Sequence, residues 1–533
     1  MILTSRLDPD HGGLTASLLR KSAILNRELG ICPQIATFHD AAGFPEVCAD
    51  LRTRYALPPE IEFTNINHHY RAQPTPPDAP TGPDALSRIC ADLPGYEARY
   101  TYDAAGAPFA ATITVDGQAA RRVYFRPDGS VFEVRPGDGS PKAAAAQKKA
   151  GAAAEGSNGA ANSTSDGQTG ALAAGAVSAE AKQVAARAAQ ITAGCEIVLD
   201  PLTSREQRFK TFDGFRRHFM DELCQGPLTY FICEARLLDK ALLSLENRQA
   251  RKIFVFHSVH IRPGTDIIRV GNRALLKNLS QADALVLLTG WQKQDVADRF
   301  GYADRLHVIP HATQLAAAGG ERDPNKLAVV SRLNEEKNLG DSIRALQQVR
   351  QVHPQAHLEI WGSGPEEASL KSLAQELDLA EAVHFAGYSK QAQQAFDTAA
   401  VSLLTSRWEG FSLTVMESMA HGAPCVAYNT KYGPAEMIID GVNGYLVEPG
   451  NVEQLAERVA GLLSLPAADW QAMSQAAADR MREFSEARLA ERWQSLFESL
   501  RQPVAVRPPL LKRAWRRVPR KLREPVGRIL SRS

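Results

Sequence analysis

The most informative segment of this chain is Arg407–Leu446, RWEGFSLTVMESMAHGAPCVAYNTKYGPAEMIIDGVNGYL. The apolar run AVSLLTS precedes it and predicts a buried strand, and LTVMESMAHG, which begins at Leu413, predicts an amphipathic helix. A strand, a tight turn and a helix in this order are typical of an open parallel sheet, where ligands bind at the carboxyl ends of the strands. The turn between the two elements therefore predicts a ligand site.

Two acids, Glu409 and Glu417, flank this turn, and the backbone of Gly410–Leu413 lies between them. The N–H groups that open a helix favour an anion, and Gly410 lets the backbone approach a ligand closely. A carboxylate accepts hydrogen bonds from both hydroxyls of a vicinal diol. Two carboxylates beside helix-opening N–H groups predict a ligand with hydroxyls next to its phosphates, such as a nucleotide-sugar. Two acids that lie by chance on a surface helix would give the same spacing.

Size and composition bound the remaining possibilities. The chain has 533 residues, 44% of them hydrophobic, so two to four domains with substantial cores are expected. The net charge of +1 gives no overall bias towards nucleic acid. The seven cysteines include no CxxC pair and are interpreted as buried thiols of a reducing compartment.

The alternation of strands and helices divides the chain into six segments. An α/β pattern occupies residues 1–57, resumes at 191–315 and repeats more regularly over 316–500. In the last of these segments it predicts strands at His357–Trp361, Cys425–Tyr428 and Gly444–Val447 and a helix near Val452–Leu463. Residues 58–141 contain Arg99–Arg135, whose alternating polarity and Gly-containing turns predict an inserted antiparallel meander. Residues 142–190 are rich in Ala, Gly and Ser and are predicted to be disordered, and 501–533 form a basic tail.

The segment EGFSLTVMESMAHGAPCVAY, followed by NGYLV, resembles the donor-site signature of the retaining glycosyltransferases with the GT-B architecture. In these enzymes two acids are separated by seven residues, as Glu409 and Glu417 are here. The resemblance implies an α/β fold of two Rossmann-like domains facing a cleft, with the small antiparallel β insertion in the first domain. It also implies a last helix that crosses back to the first domain.

The resemblance implies roles for individual residues. Arg332 and Lys337 in VVSRLNEEKN match the cationic clamp for the leaving diphosphate, which suits two cations at the end of a strand. Glu409 matches the acid near the reacting carbon of the sugar, and Glu417 the acid that holds the ribose. His257 matches a histidine that faces the anomeric region, although a lone histidine after an apolar strand is more often a packing residue.

The remaining donor contacts implied by the family come from loops. The backbone N–H groups of the turn would meet sugar hydroxyls and the distal phosphate, and HFAGY matches a loop that packs on the base. The glycines after the first strand match a phosphate-binding loop, although two glycines alone equally fit a tight turn. The expected donor-binding residues, besides the clamp and the two acids, are Gly12, Gly13, Tyr388, Gly410, Phe411, Ser412 and Leu413.

Three further segments narrow the resemblance to one bacterial branch. KYGP at Lys431–Pro434, FHSVHIRPGTD at Phe256–Asp266 and IPHA at Ile309–Ala312 are similar to poly(glycerol-phosphate) and poly(ribitol-phosphate) α-glycosyltransferases and to enzymes that glycosylate Ser-rich adhesins. The implied function is transfer of glucose or N-acetylglucosamine from a UDP-sugar to a cell-surface polymer. A protein O-glycosyltransferase, a non-catalytic GT-B partner subunit and a nucleotide-sugar epimerase are the alternatives.

The resemblance also bears on cofactors, partners and location. We expect no metal or other cofactor, because cationic side chains can stabilise the leaving diphosphate. Asp8-Pro9-Asp10 has the spacing of the metal-binding Asp-x-Asp motif of other glycosyltransferases, but it precedes the glycine loop and its proline fits a turn. A cytoplasmic location is expected, with self-association through the β insertion and no nucleic-acid partner. Residues 507–533 contain ten Lys or Arg and one acid, which predicts contact with the inner face of an anionic membrane, although a solvated tail fits equally well.

Overall fold

The computed structural model describes residues 1–7, 13–39, 42–81, 83–136, 197–224, 226–316, 321–389 and 391–502. The segment predicted to be disordered, nearly all of the basic tail, Gly12 and the Asp8-Pro9-Asp10 turn lie outside these residues. The structure has two compact units, the first comprising Met1–Thr15, Pro33–Thr229 and Lys240–Ala250, and the second Ala16–Cys32, Tyr230–Asp239 and Arg251–Ser533.

Within the described residues the strands make three sheets of seven, six and six strands. In chain order they are β1 Ile2–Thr4, β2 Gln34–Thr37, β3 Glu62–Asn65, β4 Glu97–Tyr102, β5 Pro108–Val115, β6 Gln118–Phe125, β7 Val131–Pro136, β8 Ile197–Leu199, β9 Gln207–Phe209, β10 Thr229–Cys233, β11 Ala250–Val255, β12 Ala284–Leu287, β13 Leu306–Val308, β14 Asp323–Val330, β15 His357–Trp361, β16 Val383–Gly387, β17 Ala399–Leu404, β18 Cys425–Tyr428 and β19 Gly444–Val447. The α-helices are α1 Gly13–Leu29, α2 Phe44–Arg54, α3 Ile66–Arg71, α4 Pro83–Ile89, α5 Phe212–Glu222, α6 Asp239–Leu243, α7 Arg273–Lys277, α8 Gly290–Phe300, α9 Leu339–Val349, α10 Glu367–Glu376, α11 Ala395–Thr398, α12 Leu413–Ala420, α13 Pro434–Met437, α14 Val452–Leu463, α15 Ala467–Met481 and α16 Glu486–Ser499.

In the first unit, a parallel set of strands is followed by an antiparallel sheet. Strands β1, β2 and β3 pair in parallel, so the parallel sheet continues beyond Pro58, and the antiparallel sheet begins only at Glu97. Its order is β4-β5-β6-β7-β8-β9, and its predicted turns at Gly106, Gly117 and Gly129 have positive φ. Strands β8 and β9 were not predicted as part of it, because they follow the Ala-rich segment and have only three residues each.

The second unit contains strands β13-β12-β11-β10 and the complete six-stranded sheet β16-β15-β14-β17-β18-β19. Neighbouring strands of the six-stranded sheet pair in parallel. The apolar faces of these strands pack with α9 and α14 into one core that includes Leu327, Ile343 and Val459. The observed limits of β15, β18 and β19 equal the predicted ones. Two parallel α/β sheets and an antiparallel insertion confirm the predicted fold class, whereas the domain boundaries and the cleft stay predictions.

The last helix, α16, lies against strands β10 and β11 within the second unit. The Tyr230 hydroxyl donates to the carbonyl of Phe497 over 2.7 Å, and the Arg251 Nε donates to the carbonyl of Leu500 over 2.8 Å. Trp493 on the inner face of α16 is buried. The crossing of this helix back to the first domain, which the family resemblance implies, stays a prediction. Within the described residues, no helix is both long and apolar enough to cross a membrane.

Candidate active site

The candidate site is built where strands β14 and β17 end side by side. The two strands pair in parallel, so the loops that leave their carboxyl ends are neighbours. The first loop carries Arg332 and Lys337, and the second carries Glu409. The Arg407 N–H donates to the carbonyl of Glu336 over 2.9 Å, and the Thr405 hydroxyl to the carbonyl of Lys337 over 3.2 Å. These bonds hold the two loops together.

Lys337 and Glu409 meet in an ion pair at the centre of this region. The Lys337 Nζ lies 2.6 Å from the Glu409 Oε1, and the two side chains are 17% and 12% exposed. Partial burial strengthens the attraction relative to a fully solvated pair. The structure thus brings together one predicted clamp cation and the predicted sugar-binding acid, 72 residues apart in sequence.

The turn between Glu409 and α12 is tightly packed. A Cβ atom on Gly410 would lie 2.5 Å from the carbonyl oxygen of His257, so only glycine fits there without displacement of the backbone. Ser412 has a φ of 77°, precedes the first residue of α12 and is buried. Its hydroxyl has no hydrogen-bond partner among the described residues. An unpaired buried hydroxyl beside helix-opening N–H groups fits the expected ligand contact.

The KYGP segment lies directly behind the turn. The Glu409 N–H donates to the carbonyl of Lys431 over 2.8 Å, and the Tyr432 N–H donates to the carbonyl of Glu409 over 2.7 Å. A Cβ atom on Gly433 would lie 1.7 Å from the carbonyl oxygen of Phe411. Phe411 is itself buried and packs on the His311 ring. The KYGP segment therefore sets the path of the Glu409 turn, and the Phe411 side chain belongs to the core.

Glu417 lies on α12, one turn beyond the helix start, and is half-buried. Burial raises the pKa of its carboxyl, whereas the charges of Arg20 and His421 act in the opposite direction. A carboxyl in such surroundings gains from hydrogen-bond donors such as ribose hydroxyls.

Not every predicted site residue contacts the Lys337–Glu409 pair in the part of the chain that the structure describes. The Arg332 side chain is 71% exposed and pairs with Glu336 over 3.3 Å, and no contact joins it to Lys337 or Glu409 among the described residues. Tyr388 is 70% exposed, as a ligand-stacking ring would be. Gly13 is the first residue of α1, and Gly12 lies outside the described residues. The roles of these residues stay predictions.

His257 follows strand β11 and has neighbours that the sequence analysis missed. Its Nε2 contacts the Glu234 Oε2, and the Glu234 Oε1 contacts the Lys21 Nζ. The His311 ring stacks on the His257 ring with centroids 5.7 Å apart. Glu234 follows an apolar strand, as His257 does. This repeated pattern of a polar residue after a buried strand could have indicated that the two side chains lie close together.

Other motifs have structural explanations. A Cβ atom on Gly362 would lie 1.8 Å from the carbonyl oxygen of Ser331, and one on Gly364 would lie 2.4 Å from that of Leu333. These glycines thus allow a βα turn to approach the preceding loop. The six described cysteines are unpaired. In the part of the chain that the structure describes, no cluster of three or more His, Cys, Asp or Glu has a metal-binding arrangement.

Residues 313–480 match the family model "Glycosyl transferases group 1". The chain is 26% identical over 238 residues to the poly(glycerol-phosphate) alpha-glucosyltransferase of Bacillus subtilis, which covers 44% of this chain and 35% of the relative. It is 22% identical over 280 residues to the poly(ribitol-phosphate) alpha-N-acetylglucosaminyltransferase of Staphylococcus aureus, which covers 52% of this chain and 55% of the relative. The matches thus span about a third to a half of these relatives' lengths.

Two solved structures share the fold over nearly the whole chain. A crystal structure of Staphylococcus aureus TarM with fondaparinux, alpha-GlcNAc-glycerol and UDP has a TM-score of 0.64 at 16% identity and covers 93% of this chain and 99% of TarM. The pneumococcal O-GlcNAc transferase GtfA with UDP and GlcNAc has a TM-score of 0.60 at 16% identity and covers 94% and 99%. These likenesses show the two-domain GT-B fold. Residues 313–480 are thus similar to a glycosyl transferases group 1 domain, and the relatives named above belong to the branch that the sequence resembles.

Proposed function

We propose that this protein is a retaining glycosyltransferase. It moves glucose or N-acetylglucosamine from a UDP-sugar to a hydroxyl of an anionic polyol-phosphate polymer. The observation that carries the proposal is the Lys337–Glu409 pair beside the Gly410 turn. One cation, one carboxylate and a helix start thereby lie within one small region, and each group suits a different part of a nucleotide-sugar.

The proposed chemistry uses these groups in distinct roles. Lys337 and Arg332 stabilise the charge that develops on the leaving diphosphate, and the N–H groups at the start of α12 bind its distal phosphate. Glu409 holds the transferred sugar through its hydroxyls, and Glu417 holds the ribose. The acceptor hydroxyl attacks on the face from which the diphosphate departs, and a leaving oxygen takes its proton. The configuration of the anomeric carbon is therefore retained without a nucleophile from the protein. The cationic side chains stabilise the diphosphate in the role that a metal ion has in other enzymes.

The acceptor class is inferred from a basic segment, residues 256–281, that includes His257. It contains four cations, Arg262, Arg269, Arg273 and Lys277, and a single acid, Asp266. Among the described residues none of the four cations forms an ion pair, and all except Arg269 are exposed. Arg269 donates to the Ser258 hydroxyl over 3.1 Å, next to His257. Arginines that have no carboxylate partner among the described residues, in the same segment as His257, favour a polyphosphate acceptor.

The observations bear differently on two alternatives. The fold of GtfA, an O-GlcNAc transferase, favours a Ser-rich protein as the second candidate acceptor. A non-catalytic partner subunit would be expected to have lost part of the clamp, whereas Lys337 and Glu409 are present and paired. We therefore place catalysis ahead of a purely structural role.

Partners and location extend the proposal. We propose a cytoplasmic enzyme whose basic tail contacts an anionic membrane surface. Self-association would use the edge strand β4, where the exposed rings of Tyr100 and Tyr102 stack 6.1 Å apart. Light scattering on a Tyr102→Lys variant tests the oligomer, and vesicle cosedimentation of a chain ending at residue 501 tests the tail.

The deciding experiment incubates the protein with UDP-glucose or UDP-N-acetylglucosamine and measures UDP release. The preferred donor is then offered with poly(glycerol phosphate), poly(ribitol phosphate) or a Ser-rich peptide, and the linkage in the product is determined by NMR. An α-linked sugar on a polyol phosphate supports the proposal, and transfer to the peptide alone supports the second candidate. No UDP release with any donor would contradict both. Activity after treatment with a chelator tests metal independence.

A further inference from the structure

A buried ion pair stands behind His257 and is not used by the proposed chemistry. Glu234 follows β10 and His257 follows β11, and these are neighbouring strands of one sheet. The Glu234 carboxylate contacts the His257 Nε2 through one oxygen and the Lys21 Nζ through the other. A carboxylate thus links a cation on α1 to the ring of a predicted sugar-binding histidine.

The Glu234 carboxylate is completely shielded from solvent, and the Lys21 side chain is 10% exposed. The Lys21 Nζ also lies 5.0 Å from the centroid of the Trp493 ring. Burial alone would raise the pKa of Glu234, but the adjacent Lys21 and His257 outweigh burial and hold that pKa well below its usual range. A buried carboxylate remains charged only when it is paired in this way.

The position of His257 is fixed on several sides. The His311 ring stacks on it with an interplanar angle of 17°, and the His311 Nδ1 is 3.1 Å from the Ser17 hydroxyl. Gly410 packs against the main chain of His257. Among the described residues, no hydrogen bond engages its Nδ1. The ring nitrogen that Glu234 does not occupy is therefore the one available to a ligand.

We propose that Glu234 is a positioning residue for glycosyl transfer. It holds the His257 imidazole through Nε2, so that Nδ1 faces the donor sugar, and Lys21 is its counter-ion. This inference rests on the proposed function. The competing explanation is that the Lys21–Glu234 pair only attaches α1 to the sheet, and this explanation predicts a loss of stability without a specific loss of catalysis.

The test compares Glu234→Gln with the double variant Lys21→Met/Glu234→Gln. The single variant leaves Lys21 buried without its counter-ion and is expected to be less stable, whereas the double variant restores charge balance. In both variants we expect kcat for UDP-sugar hydrolysis to fall about 10- to 100-fold, because a misplaced ring no longer meets the sugar. The donor KM and the Kd of UDP, measured by calorimetry, should stay within about twofold of wild type.

The pH profile gives a readout that a structural role would not change. The charged or titratable groups that face the His257 ring are Lys21 on α1, Glu234 after β10 and His311 after β13. The pH profile of kcat should move to lower pH in Glu234→Gln, because a neighbouring negative charge is lost. In Lys21→Met it should move in the opposite direction, because the Glu234 charge is then uncompensated.

A matched control is Glu359→Gln, which removes the carboxylate of another partly buried pair, Lys326–Glu359. This variant should keep the wild-type kcat and pH profile. A folded double variant with wild-type kcat and pH profile would overturn the positioning role while leaving the proposed function intact. Failure of the function itself is recognised separately, because the wild-type protein would then release no UDP.

Discussion

At the scale of single residues, the Lys337–Glu409 pair shows how one contact can serve two purposes. In the structure the two charges neutralise each other at 2.6 Å and are mostly buried. A nucleotide-sugar would offer each group a second partner, a phosphate for Lys337 and a hydroxyl for Glu409. The pair therefore keeps both side chains oriented at modest electrostatic cost.

The first prediction concerns this pair. Lys337→Met and Glu409→Gln should each lower kcat for UDP release at least about 100-fold, because each removes an electrostatic contact to the transition state. The double variant should be little worse than either single one, since the groups act as a unit. Lys371→Met, which breaks an exposed pair with Glu367 on α10, is the control and should behave as wild type. Near-normal turnover by either single variant would contradict the site.

The second prediction concerns pH-dependent stability at Asp239. Burial raises the pKa of this carboxyl to about 6 from an ordinary value of 3.8, because Arg236 only partly compensates, and its Oδ2 has no partner among the described residues. The folded state then binds the proton more tightly than the unfolded state. Stability is greatest below about pH 4 and is lost as pH rises through about 6.

Asp239→Asn should therefore increase the free energy of unfolding at pH 8 by on the order of 3 kcal/mol and change it little at pH 4. Urea denaturation at the two pH values measures the difference. An equal effect at both values would mean that the carboxylate is not the source of the instability.

At the scale of elements, the turn before α12 depends on a glycine that permits close contact. Gly410→Ala should lower kcat at least about tenfold, because the added methyl group would clash with the His257 main chain and shift the turn that carries Glu409. Gly461→Ala is the matched control, since no atom lies within 4 Å of the added Cβ in the exposed interior of α14. It should stabilise the protein by about 0.5–1 kcal/mol and leave kcat unchanged. Thermal melting and UDP-release assays on both variants decide the matter.

Elements were predictable where the sequence pattern is local. Strand His357–Trp361 and helix Val452–Leu463 were located from alternating or amphipathic runs, and the structure has the same limits. Strands β8 and β9 were missed because a long low-complexity segment separates them from the sheet that they complete. Lys337 and Glu409 were each assigned to the donor site from the family resemblance, but their direct contact was not predicted. The contact between Lys21 and Glu234 was not, since Lys21 lies in an ordinary helical pattern and its partner is 213 residues away.

At the scale of the whole molecule, the net charge of +1 conceals a segregation of charge. Residues 256–281 and 507–533 are strongly basic, so the rest of the chain is acidic on balance. Cations without carboxylate partners retain their attraction for distant anions, whereas paired cations lose most of it. The basic segment 256–281 also includes His257, the predicted sugar-binding histidine. A polyanion bound to this segment would therefore have a hydroxyl close to the transferred sugar.

The last prediction tests this segregation with the triple variant Arg262→Gln/Arg273→Gln/Lys277→Gln. These side chains are exposed, so the fold should be unaffected. The KM for a polyol-phosphate acceptor should rise about tenfold at moderate salt, and its dependence on salt concentration should weaken, because fewer counter-ions are released on binding. The control removes the same charge at Arg344, Lys371 and Arg488, each of which is paired with a carboxylate. If the control variant raises the acceptor KM equally, the net charge of the protein governs binding and the basic segment does not. If the KM is unchanged in both variants, the argument for a polyanionic acceptor is removed.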